Sequence, residues 1–176
     1  MSNTFWFYTC LFFWISGVFL ASNLTYIIPI ADQAVNSVYE SMSFWEVFCY
    51  LFKTNITVGL LCCYMGYATA GLMTVFILMF NGYLFGMALF VIAKLQHHEV
   101  LEFGLLIKLF GHVPLEIISF CLFGMYGLSG FNFVLNSNSN SNKEILSDLP
   151  SIKSILFPFV LLVIAAIIES YSIKSF

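Results

Sequence analysis

The chain has 176 residues, of which 61% are hydrophobic, 19% aromatic and 9% charged, with a formal net charge of −3. A soluble domain of this size carries about a quarter of its residues as charges, so these proportions exclude one. With no arginine and six lysines there is no basic patch, which excludes nucleic acid as a ligand.

The apolar runs are continuous rather than alternating. In lipid every backbone polar group must be paired within a helix or a closed barrel, and a barrel would show short alternating strands. The predicted fold is therefore all-α: a polytopic transmembrane helix bundle of about five spans plus interfacial helices, one integral domain over 1–176. It is expected in the cell membrane as a multi-pass protein whose first partner is membrane lipid. The spans are placed at about 5–22, 50–68, 72–94, 112–134 and 152–170.

Phe5 to Leu20 lacks a basic leader region and a small-residue cleavage site, so it reads as a retained membrane helix. Gly17 and Ala21, four apart, permit close approach of another helix. The mixed pattern from about Asp32 to Met42 fits a short amphipathic helix along the interface. From Phe44 to Gly71 the run is longer than a bilayer needs, at 1.5 Å per residue against about 30 Å of hydrocarbon. The membrane-embedded part then starts near Asn55, which caps the span, bonds a neighbouring helix or contacts a substrate. Gly66 and Gly71 bracket Tyr-Ala-Thr-Ala, a turn or a tight helical crossing.

The third span carries Asn81-Gly82 and Gly86. Glycines four apart let two backbones meet, with the Asn either donating across the contact or lining a substrate path. Between spans three and four lie His97, His98, Glu99, Glu102 and Lys108, and Glu102 to Phe110 has the pattern of a surface or re-entrant helix. The fourth span is expected to begin at about Val113. Pro114 suits a first helical turn, and His112 and Glu116 project from one face one turn apart. They form either a hydrogen-bonded pair fixing the helix entrance or a functional pair meeting a partner or a proton.

No metal is assigned. His97, His98 and His112 are the residues that would supply imidazoles, but His-His-Glu in sequence does not place three ligands on one helix face. Cys10, Cys49, Cys62, Cys63 and Cys121 lack metal-like spacing and read as buried small hydrophobes. The Asn-Ser tract from Asn136 to Asn142 cannot bury a core and reads as an exposed spacer. A fifth span follows with Pro158 near its start and Glu169 at its end. An odd number of spans puts the termini on opposite sides, and the lysine distribution places the loop between spans three and four in the cytoplasm.

The order Asn55, Gly66, Gly71, Asn81-Gly82-xxx-Gly86, His112-xxx-Glu116 and Gly127 resembles the stage II sporulation protein M family of integral membrane proteins, over about residues 5 to 172. That family usually has Asn-Asn where this chain has Thr54-Asn55. It has Pro-His-Gly-x-x-Glu where this chain has Gly111-His112-Val113-Pro114-Leu115-Glu116, so the His–Glu spacing is kept while the proline has moved. The resemblance implies two settings. The sporulation member works with cell-wall-degrading partners, and similar small proteins occur in circular-bacteriocin gene clusters, linked to maturation, export and self-immunity.

There is no Gly-rich phosphate loop, Ser/His/Asp order or dinucleotide fingerprint, so no cofactor and no nucleotide chemistry are expected in this chain. The expected function is that of a non-enzymatic membrane subunit of a bacterial envelope complex, acting in peptide maturation, export or immunity, or in cell-wall remodelling. Its partners would be other membrane subunits, including an ATPase subunit, a peptide substrate, or a second copy in a homo-oligomer. A permease-like subunit of an ABC-type exporter is the alternative, and a metal-dependent membrane hydrolase built on His112, Glu116, His97 and His98 is the second. The residues picked out are His112 and Glu116 as a functional polar pair. Asn55, Gly66, Gly71, Asn81, Gly82, Gly86 and Gly127 are picked out for helix packing or partner contact.

Overall fold

The structure, a computed structural model, describes residues 3–24, 39, 41–96, 110–136 and 152–174. These form five long helices: α1 (Asn3–Leu24), α2 (Phe44–Ala68), α3 (Leu72–Gln96), α4 (Val113–Asn136) and α5 (Ile152–Lys174). No strand occurs among the described residues. All five helices are long and apolar enough to cross a membrane. A helix of 22 to 25 residues, the range for these five, is about 33–38 Å long and exceeds the hydrocarbon thickness.

α4 is the axis of the bundle, packing against each of the other four helices. Over its most apolar window 56% of residues are buried, against 22–28% for the others, which therefore turn most of their surface outward. The outward residues are large and apolar: Phe12 and Phe19 on α1, Phe76 and Phe80 on α3, Leu156 and Phe157 on α5. Such a surface is stable in lipid and would aggregate in water.

Small residues set the helix order. α1 and α3 run parallel because Gly82 sits on the backbone of Trp14, Gly17 on that of Met79, and Gly86 against Val18 and Ala21. Two four-residue spacings thus interlock in one seam. α2 and α4 also run parallel: Phe123 of α4 is wholly buried against Gly59, and further along Gly127 packs on Cys62 and Gly130 on Tyr67. α5 runs antiparallel to α4, bringing Ser119 to Pro158 and Tyr126 to Ser154.

Local chemistry fixes the ends of α2. Ser43 and Glu46 close a capping box, the Ser43 amide donating to Glu46 Oε2 at 2.6 Å and the Glu46 amide to Ser43 Oγ at 3.3 Å. At the other end the Gly71 amide donates to the Gly66 carbonyl at 2.7 Å, with Gly71 at φ +90°. That left-handed conformation is open to glycine and strained for other residues. The bracketed run is thus a turn at 69–71, while Gly66 itself lies in a crossing against Thr74 and Gly127.

Four of the five cysteines are buried and free, but Cys49 is exposed on α2, contrary to the expectation that all five fill the core. Its position next to the exposed Tyr50 puts it on the outer face, where an apolar thiol meets lipid as readily as it meets a core. Of the amphipathic stretch expected over 32–42 only Tyr39, Ser41 and Met42 are described. Lys174 Nζ donates to the Tyr39 carbonyl at 2.8 Å, fastening Tyr39 to the end of α5. Of the surface helix expected over 102–110 only Phe110 is described, and the Asn-Ser tract beyond Asn136 lies outside the described residues.

Pro158, inside α5, removes the amide that would bond the Ser154 carbonyl four residues back. The Tyr126 hydroxyl, from α4, donates to that carbonyl at 3.3 Å, and Ser119 Oγ donates to the Pro158 carbonyl at 2.8 Å. Side chains of a neighbouring helix replacing a lost backbone bond is how membrane helices tolerate proline. Tyr126→Phe is expected to lower stability by about 1 kcal/mol in the native background and by much less beside Pro158→Ala, which restores the amide. Thermal unfolding in detergent of the two singles and the double checks this. Equal losses in both backgrounds would show that the hydroxyl does not serve the proline site.

Candidate functional site

The start of α4 is built by His112, whose carbonyl accepts from the Leu115 and Glu116 amides at 3.0 and 3.3 Å. Pro114 fills a first-turn position that needs no donor, and Glu116 stands in the same turn, where a carboxyl is favoured by the positive end of the helix dipole. Parallel packing of α2 brings Asn55 alongside, and its Nδ2 donates to Glu116 Oε1 at 2.5 Å. Antiparallel packing of α5 brings Glu169 from the opposite direction, with Oε1 3.7 Å from His112 Nε2. The ligand atoms of His112, Glu116 and Glu169 lie within 4.8 Å of one another.

His112 is 9% exposed, and its Nδ1 is buried without a hydrogen-bond partner. The 3.7 Å approach to Glu169 sets an imidazole beside a carboxyl at a separation longer than a hydrogen bond. A small cavity of about 30 Å³ opens beside Glu116, bounded by Trp14 of α1, Asn81 and Phe85 of α3, and Val113 and Ile117 of α4. It has room for about one water, with Asn81 and Glu116 as its polar walls.

The structure thus gathers four of the singled-out residues, Asn55, His112 and Glu116 in one cluster and Asn81 across the adjoining cavity. Gly66, Gly82, Gly86 and Gly127 lie instead in helix crossings and Gly71 in the α2–α3 turn. His97 and His98 lie outside the described residues. Glu169 is the member that the sequence reading passes over as the end of the fifth span. Its signal was an acid inside an otherwise apolar helix, which in a membrane calls for a named partner.

No curated protein and no solved structure matches the chain. The family model described as stage II sporulation protein M matches residues 5–172, nearly the whole length. With five apolar helices long enough to span a membrane and a match of that extent, this chain belongs to the stage II sporulation protein M family of membrane proteins.

Proposed function

We propose that the protein is a membrane subunit of an envelope complex that acts through partner proteins, in maturation, export or immunity for a peptide, or in cell-wall remodelling. The observation that supports this most is the openness of the bundle. Only α4 is mostly enclosed, while the other four helices each bury less than a third of their apolar window. Outward faces such as Tyr50, Leu61, Tyr64 and Met65 on α2 are broad enough for lipid and for another subunit's helices alike. Asn55, His112, Glu116 and Glu169 are drawn together at the end of the bundle that holds the start of α4, where they would hold the subunit's shape or respond to a partner.

Mild-detergent purification from native membranes, with mass spectrometry of the complex, tests the reading. A stoichiometric partner is expected. A nucleotide-binding subunit whose ATPase rises with peptide favours the permease-like alternative, and a wall hydrolase favours remodelling. A chain that is alone in the membrane and carries out turnover by itself would contradict the proposal.

A further inference from the structure

Two carboxyl groups converge inside a bundle of apolar helices, where an amide donates to one and an imidazole stands 3.7 Å from the other. Neither an amide nor an imidazole is a permanent cation. A carboxylate held away from water is stable only when it is paired, protonated or bound to a metal. The imidazole is itself unsatisfied, with one nitrogen buried and unpartnered and the other 3.7 Å from its nearest acid. Buried polar atoms left in this state are the exception in folded proteins and mark a missing ligand or a strained site.

We propose that His112, Glu116 and Glu169 bind one divalent transition-metal cation, of the zinc or manganese class. One imidazole and two carboxylates is a borderline-to-hard donor set, suited to such ions and unlike the all-oxygen cages of calcium. Two carboxylates and a dication sum to zero, which removes the electrostatic objection to the cluster. Metal–ligand bonds of about 2.0 Å in a tetrahedron separate neighbouring ligand atoms by about 3.3 Å. The 3.7 Å between His112 and Glu169 is close to this, and the ligand atoms of all three lie within 4.8 Å of one another. Asn55 orients Glu116 through its amide, as outer hydrogen bonds orient metal-binding carboxylates elsewhere. Three protein ligands leave a position open for a water or a carbonyl oxygen, and a cavity holding Asn81 lies beside one of the three, Glu116.

The site is complete within one chain, whichever partners the protein has. The test uses the full chain purified in detergent without a histidine tag, stripped with chelator, mixed with Zn²⁺ and passed through gel filtration. About one zinc per chain is expected to be retained, with a rise in unfolding temperature that chelator reverses. Glu169→Gln and His112→Asn should each lower retention tenfold or more, while His97→Ala with His98→Ala should not. X-ray absorption of the wild-type complex should show nitrogen and oxygen neighbours with imidazole scattering and no sulfur, a readout that stands even if a variant fails to fold. Retention below about a tenth of an equivalent, a sulfur shell from the cysteines, or loss of zinc only in the His97/His98 variant would each overturn the proposal.

Discussion

Gly82→Leu is expected to remove most of the folded, monodisperse protein from detergent extracts. A β-carbon at this position would collide with the backbone carbonyl of Trp14, and one at Gly86 would stand 2.9 Å from the Val18 carbonyl oxygen. A main-chain atom cannot rotate aside as a side chain can, so α1 and α3 must separate along the whole seam. Overpacking usually lowers stability by about 1–3 kcal/mol, and separation of two parallel helices lies at or beyond the upper end. Phe76→Ala on the outward face of α3 loses the stacking on Phe80 of the same helix but leaves the α1–α3 seam untouched, so it should leave the elution profile unchanged. Fluorescence-detected gel filtration with thermal challenge checks both. A Gly82→Leu protein that elutes and melts like the wild type would refute the seam.

The second large effect is at Glu116. Removal of its carboxyl in Glu116→Ala strands the Asn55 amide inside the bundle and opens a void beside the cavity. A partly buried donor left unpaired lowers stability by the lower end of about 1–3 kcal/mol, and the lost packing adds to this. Glu116→Gln keeps an oxygen that can accept from Asn55, so its loss should be less than half as large. Gln still weakens any role that needs the acid. The expected pattern is low yield for the alanine variant and near-native yield with impaired function for the glutamine variant. Equal yields for the two would mean that the hydrogen bond holds nothing together.

Much of this architecture is legible in the residues, for physical reasons that also mark where legibility ends. Continuous apolar runs dictate membrane helices whatever their neighbours do, and a proline directly after His112 and Val113 announces the start of α4. The small-residue spacings on the first and third spans are each visible alone. What no spacing states is that Gly17 and Ala21 face Gly82 and Gly86, because pairing depends on the order in which helices pack. Glu169 was hidden for the same reason. A sequence displays which acids sit on a helix but not which end of another helix lies beside them, and the antiparallel register of α5 on α4 exists only once both have folded. The role of Tyr126 was equally concealed, since its partner carbonyl lies on a different helix, four residues before a proline.

The account rests on a polar centre joined across α2, α4 and α5 inside an apolar bundle, and a double-mutant cycle between Asn55 and Glu116 probes it most directly. Asn55→Ala, Glu116→Ala and the double variant would be unfolded in mixed micelles and their stabilities compared. The two side chains meet at 2.5 Å, so a coupling of about 1 kcal/mol or more is predicted, the double variant losing clearly less than the two singles summed. Strict additivity would mean that the two groups do not meet in the membrane and would contradict the assembly of the centre.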